Sequence, residues 1–222
     1  MFGQKTKSKG YKGIAMEGLV AKWYAGNQRK MMDQYKGWAK QVTGEVSDGS
    51  AVLEVAPGPG YLAIELAKYG KYKITGLDIS KTFVDIAREN AKDAGVNIDF
   101  QYGDAAHMPL DSEAFDFIVC TAAFKNFSEP INALNEMYRV LKPNGRALII
   151  DLRRDVTKES LKNEVAKMRL GWLNSIITKW TFNWLAKRAR TRDEFMELVA
   201  KTSFRNCEIN EEELGLEIML RK

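Results

Sequence analysis

Apolar positions fall into short runs, and most runs are followed by a stretch in which apolar residues recur at helical spacing. Ala51 to Ala56 has the pattern of a short buried strand. It ends at Pro57-Gly58-Pro59-Gly60, after which Leu62, Leu66 and Ala67 lie on one helix face. Tyr72 to Leu77 reads as a second strand ending at Asp78. Thr82 to Ala94 reads as a helix with Phe83, Ile86, Ala87 and Ala91 inward and Gly95 as its C-cap. A third strand, Ile98 to Tyr102, ends at Gly103-Asp104-Ala105, and Phe115 to Thr121 is a fourth strand, apolar on both faces. A loop from Ala122 to Pro130 leads into a helix over 131–141. Lys142-Pro143-Asn144-Gly145 then turns it into a fifth strand, Arg146 to Leu152. This alternation predicts a doubly wound α/β domain built on a parallel sheet with right-handed crossovers.

The ends of the chain depart from that rhythm. Residues 1–12 have the basic, glycine-containing composition of an arm, and residues 14–44 carry an aromatic and methionine stripe that predicts two helices broken near Gly26 and Gly37. Residues 157–202 read as helical throughout. Phe204 to Asn210 and Leu214 to Arg221 read as a hairpin whose last strand is antiparallel. The expectation is a single domain with a seven-stranded sheet: an N-terminal helical lid over 1–48, a core over 49–152, a helical cap over 153–202 and a closing hairpin over 203–222.

The bulk numbers narrow the class without choosing the chemistry. A chain of 222 residues with 45% hydrophobic and 28% charged content supports one well-cored domain. The net charge of +5 would suit a polyanion, but the lysines are dispersed, and a solvating surface is the simpler account. Cys120 and Cys207 sit in apolar surroundings without a metal-ligand spacing, so neither a metal site nor a disulfide is expected. No apolar run reaches membrane-spanning length and no signal-peptide pattern opens the chain, so the cytoplasm is the expected compartment.

Three successive strands end in glycine-rich or polar residues, and in open α/β sheets ligands bind at that edge. Gly58 and Gly60 allow close backbone approach, and the helix start behind them favours an anionic group. Asp78, 18 residues past Gly60, is placed to accept both hydroxyls of a ribose. Gly58, Gly60 and Ala63 also satisfy a dinucleotide pattern, so a nicotinamide or flavin site and a turn with no ligand both stay open at this point.

The assembled motifs resemble the class I S-adenosylmethionine-dependent methyltransferases, in particular the small-molecule and quinone-type branch. VLEVAPGPG, GLDIS, YGDAAHMPL, FDFIVCTAAF and EMYRVLKPNGRALI stand in the family's order and spacing. The resemblance covers about residues 50 to 152 and implies a Rossmann-like fold that binds S-adenosyl-L-methionine. It implies that Gly58 and Gly60 approach the cofactor, with Glu54 near its amino-acid end. Asp78 would hold the ribose and Ile79 would lie against the adenine. Asp104 would accept from the adenine amino group beside the Ala105 backbone, and Thr121 and Ala122 would lie beneath the methionine portion. Two departures matter. Pro57 supplies no N–H where the family often has a donor, and Phe124-Lys125-Asn126-Phe127 stands where quinone-branch relatives often carry a histidine, so that branch's substrate does not carry over.

Methyl transfer from a sulfonium depends mainly on positioning and water exclusion, and a base is optional. Candidate catalytic groups are Lys125, Tyr24 and Tyr11, although Lys125 reads more simply as a solvated loop residue and His107 as a pocket-wall or surface residue. Candidate acceptor contacts are Tyr11, Trp23, Tyr24, Trp172, Arg153 and Arg154, the two arginines against an acidic group. A small, partly apolar acceptor is expected, and a nucleic-acid partner is not, because the motifs of amino-group and cytosine-C5 nucleic-acid methylases are absent. The basic cluster Lys187, Arg188, Arg190 and Arg192 keeps an RNA-directed enzyme or a non-catalytic RNA-binding module as the alternative. Monomer and homodimer are both open.

Overall fold

The computed structural model describes residues 10–12, 16–167, 182 and 185–222. Its centre is a seven-stranded sheet in the order β3-β2-β1-β4-β5-β7-β6. The strands are β1 (Ala51–Val55), β2 (Lys73–Asp78), β3 (Asp99–Tyr102), β4 (Phe115–Thr121), β5 (Leu141–Leu152), β6 (Glu208–Glu211) and β7 (Gly215–Arg221). The first five are parallel, and β7 runs antiparallel to both β5 and β6. Strand order reverses between β1 and β4, which opens a crevice beyond their carboxyl ends.

Helices cover both faces. On one side α1 (Gly18–Gln28), α2 (Met32–Thr43), α3 (Tyr61–Tyr69) and α4 (Lys81–Asp93) precede or join the first strands. On the other, α5 (Pro130–Val140) and α7 (Arg192–Val199) pack with the hairpin, while α6 (Lys158–Lys167) follows β5. Alternate residues of a strand face opposite layers. Leu53, Ile118 and Cys120 join Leu134, Met137 and Phe195, whereas Val52, Phe117 and Val119 join Leu62, Val84 and Tyr35. Both faces of β4 are therefore buried, which is why its sequence is apolar at successive positions.

Phe100 locks the second layer. Its ring, 1% exposed, fills the space left by Gly60 and Gly76, where an added Cβ would lie 2.7 Å and 2.4 Å from ring atoms. Gly60 also holds φ +77°, so it is glycine for two reasons, packing and conformation.

The expected elements differ from the observed ones in four places. Gly37 lies inside α2, and the break between the N-terminal helices is a 3₁₀ turn at Arg29–Met31. Lys142 to Gly145 does not precede the fifth strand but is folded into it: Phe115 pairs with Leu141 and Phe117 with Arg146, and the excess residues bulge out with Asn144 at φ 65°. Residues 187–191 are not helical, because Arg190 bridges to Arg153 at the end of β5. The first hairpin strand begins at Glu208; Phe204 is instead a core plug, edge-on to Tyr138 at 5.2 Å between centroids.

Gly60→Ala is expected to destabilise the fold by about 1–3 kcal/mol through strained φ and displacement of Phe100. Urea unfolding of the two proteins checks this, and an unchanged midpoint would remove the packing account.

Candidate functional site

The β2 carboxyl end organises the crevice. Asp78 is 5% exposed and accepts from Gly58 N–H at 2.9 Å and Ser80 N–H at 2.8 Å. Burial outweighs those two hydrogen bonds and pushes its carboxyl up to about 6. Two bonds leave a carboxylate with accepting capacity to spare. Gly58, at φ +54°, has no atom within 4 Å of where a Cβ would stand, so the turn faces open space. Glu54 reaches from β1 to accept Ala63 N–H at 2.9 Å, satisfying a donor in the first turn of α3, and burial raises its carboxyl to about 8.

A segment ahead of α1 is tied across this edge at two places. Lys12 N–H donates to Asn126 O at 2.7 Å and Ser128 N–H to Gly10 O at 3.2 Å, while Tyr11 bridges to Phe127. At the other side Ser80, the N-cap of α4, donates its hydroxyl to Met16 O, and Glu17 accepts from Lys81 N–H and Thr82 N–H at 3.0 Å each. Gly10 lies directly on the two expected adenine neighbours: a Cβ there would stand 2.5 Å from both Asp104 Oδ2 and Ile79 Cδ1. Asp104 also accepts Ala106 N–H at 2.9 Å, which shapes the turn carrying Ala105.

Beyond β4, Thr121 is half-buried and Ala122 is exposed, the latter at φ 55° with its N–H on Ile150 O at 2.7 Å. The 3₁₀ turn Phe124–Asn126 follows. Lys125 is not a solvated loop residue. It is 5% exposed, its ammonium donates to Ala122 O and, at 2.8 Å, to Asp151 Oδ1, and its N–H donates to Asp151 Oδ2 at 2.6 Å. The carboxylate of Asp151, at the end of β5, is thus fully engaged. Arg190 lies over the Phe124 ring at 5.6 Å. Between Phe124, Lys125, Asp151, Arg190 and Phe195 is a cavity of about 10 Å³, room for roughly one water molecule. Asn126 Oδ1 is buried without a hydrogen-bond partner among the described residues, an acceptor left for a ligand or solvent.

Other expected site residues divide sharply. Tyr24 faces inward, edge-on to Phe83 at 5.8 Å. Its hydroxyl is pushed up to about 12 by burial and by the nearby Tyr11, Asp151 and Asp78. Burial likewise raises Tyr11, with Arg188 opposing and Asp78 reinforcing the shift. Trp23, its neighbour in sequence, is not brought to the edge: it is 70% exposed on the outer side of α1, because the buried side is set by Ala21 and Ala25. Arg153 is occupied by Asp155 at 2.8 Å and Glu211 at 2.7 Å, and Arg154 by Glu194 at 2.6 Å. His107 is exposed. Trp172 lies outside the described residues. Asp151, Asn126, Glu17 and Gly10 are not foreseen from the sequence. Only Asp151 carries a usable signal there, as an acid at the carboxyl end of a strand.

Comparison with known proteins decides the chemistry this edge serves. A sequence profile for a methyltransferase domain matches residues 53–149. The demethylmenaquinone methyltransferase of Staphylococcus carnosus is 30% identical over 189 residues, covering 80% of this chain and 78% of that protein. The chain belongs to the class I S-adenosylmethionine-dependent methyltransferases. The enzyme of the same name from Deinococcus radiodurans is 35% identical over 119 residues, and this match spans 49% of its length. Indeed, the matches cover about half the length of the first curated relatives. A putative S-adenosylmethionine-dependent methyltransferase from Methanococcus maripaludis superposes with a TM-score of 0.73 at 22% identity over 95% of both chains, which places the fold as Rossmann-like.

S-adenosylmethionine is therefore the cofactor, and the dinucleotide alternative falls away. The residues present fit it, since a buried carboxylate with free lone pairs stands beside a glycine turn that faces open space. Asp78→Ala is expected to weaken cofactor binding by about 1.5–3 kcal/mol for each ribose hydroxyl left without its acceptor. The ionised carboxylate is the better double acceptor, so binding selects it and releases a proton. Affinity should thus rise with pH through about 6 and then level. Calorimetry across that range checks it, and a flat profile for the unsubstituted protein would be inconsistent with this role. Lys125→Met should cost about 3–5 kcal/mol by leaving Asp151 charged and unpaired, with much of it restored in Lys125→Met/Asp151→Leu. Denaturant unfolding of the three proteins decides whether the pair is structural in this sense.

Proposed function

We propose that this protein transfers a methyl group from S-adenosylmethionine to a small, partly apolar acceptor held under residues 10–12 and 185–190. The carrying observation is their convergence. Arg188 donates to Lys12 O at 3.1 Å, so residues 185–190 meet residues 10–12 over the ends of β4 and β5, with Tyr24 beneath. The cofactor supplies an electrophilic methyl group on a sulfonium. Asp78, Ile79 and Asp104 fix the nucleoside end, while Gly58 and Gly60 admit the backbone to close range. Tyr11 and Tyr24 are phenols that burial keeps protonated, so they donate hydrogen bonds and wall off water rather than take protons. Lys125 is committed to Asp151 and acts by holding the Ala122 turn.

The acceptor follows from this lining: aromatic rings, two O–H donors and Asn126 Oδ1, which has no partner among the described residues, suit a ring bearing oxygen substituents better than a polyanion. The arginines that would favour RNA are turned inward or paired, Arg190 on Phe124 and Arg192 with Glu211. A nucleic-acid acceptor is accordingly set aside. Among the described residues no helix is long and apolar enough to cross a membrane. Cys120 and Cys207 are free thiols, which suits a reducing cytoplasm. We place the enzyme there as a monomer or homodimer.

The test is to supply cofactor with a labelled methyl group together with demethylmenaquinone, other oxygenated aromatic compounds, or RNA, and to follow where the label goes. Label on a small aromatic product is expected, and label on RNA alone would overturn the reading. Removing residues 1–12 should abolish turnover at saturating cofactor while the protein stays folded. Turnover at the full-length rate would put the acceptor elsewhere.

A further inference from the structure

The helix that contributes Tyr24 to the site is apolar on both sides. Ala21 and Ala25 are buried, and Tyr61 Oη reaches Ala25 O at 3.2 Å, so one side is packed on the domain. The opposite side shows Leu19 at 83%, Val20 at 43% and Trp23 at 70% exposure. Leu19 and Trp23 are one turn apart and Val20 and Trp23 three residues apart, so these side chains form one patch. A helix with two apolar sides is normally covered on both. Exposed Lys22, Arg29 and Lys30 lie on the same helix and the turn after it.

Charge selects what covers this patch. Basic residues recur along the whole chain, and acidic ones offset them except over the first 32 residues, which carry α1, and over residues 165–192. Residues 1–32 hold seven lysines and arginines against one acid, Glu17, an excess larger than the net +5 of the entire chain. The carboxylate of Glu17 is spent on the first turn of α4. We propose that α1 docks on an anionic lipid surface, inserting Leu19, Val20 and Trp23 among the acyl chains while its basic residues meet headgroup phosphates. A tryptophan beside aliphatic tips and lysines is the side-chain set that partitions to a bilayer interface. RNA offers nothing to Leu19 and Val20. A second copy seated about a twofold axis would set Lys22, Arg29 and Lys30 against themselves.

Docking deepens the reading of the acceptor and rests on it in one respect. Tyr24 adjoins Trp23 but faces the site, so a docked α1 would hold the site within about one helix width of the lipid surface and shorten the path of an apolar acceptor dissolved in the bilayer.

Vesicle co-sedimentation, without cofactor or acceptor, tests this. Vesicles of phosphatidylcholine mixed with phosphatidylglycerol should bind the protein, and phosphatidylcholine alone should bind it far less. Raised salt should weaken binding. Leu19→Ser/Val20→Ser should lower partitioning at least about tenfold, with cofactor affinity and thermal unfolding unchanged. Equal binding of this variant, no binding of the parent protein, or a parent dimer that the variant dissolves would each overturn the proposal. Because the measurement needs no turnover, a protein that binds vesicles yet methylates nothing would sink the reading of the site and leave the docking face standing.

Discussion

The turn from Asp78 to Ser80 is the constraint on which the site depends. One carboxylate accepts from the β1–α3 turn through Gly58 and from its own chain through Ser80. Ser80 caps α4 by accepting Phe83 N–H at 3.0 Å and at the same time holds Met16. Four pieces of chain are thereby joined within a few residues: the glycine turn, β2, α4 and the N-terminal segment. The arrangement is economical because the polar groups are mostly backbone N–H donors that a turn and a helix start leave unsatisfied in any case. Its cost is the burial of a carboxylate, seen in the upward shift of Asp78. Such a shift raises the affinity for protons in the folded state, so folding stability from this group is greatest at low pH and declines as pH rises from the ordinary aspartate range through about 6. Hydroxyl donors of a ligand bound at this carboxylate would relieve part of that penalty.

The core is legible in the sequence because its constraints are local and repetitive. The first four strands fall within one or two residues of where alternation and turn chemistry put them, since a buried parallel strand has to be a continuous apolar run and a crossover helix must present one apolar face. Gly60 is legible as a turn residue, yet its contact with Phe100 is not, because that contact joins positions 40 apart in sequence. Lys125 misleads for the same reason. A lysine among loop residues looks solvated until Asp151, at the end of another strand, supplies its counter-charge. The Pro-Asn-Gly turn stands where its residues predict, and its consequence does not follow from them: a turn that re-enters the same strand pairing is a bulge, and pairing register is a property of two strands.

Trp23 and Tyr24 show where composition stops being informative. Both are aromatic, adjacent and on a segment that approaches the ligand edge, and by composition they share one role. Adjacent helix positions differ by about 100° in direction, so they cannot both face the site. Burial of the small residues Ala21 and Ala25 settles which side packs, and that choice follows from the surface of α3 and α4, not from α1 itself.

The family profile covers residues 53–149 and stops where the chain leaves the repeated strand-helix unit. That boundary has a physical origin. Cofactor recognition uses backbone geometry and a few short side chains fixed by sheet topology, so diverse sequences satisfy it provided the turns survive. Acceptor recognition has no such template. On the function proposed above it would fall to residues 10–12, 16–17 and 185–190, anchored through backbone carbonyls at Met16 and Lys12, contacts that place few demands on which side chains stand at those positions. Segments held this way can change their side chains, and with them the acceptor, while the Asp78–Ser80 turn that anchors them stays as it is.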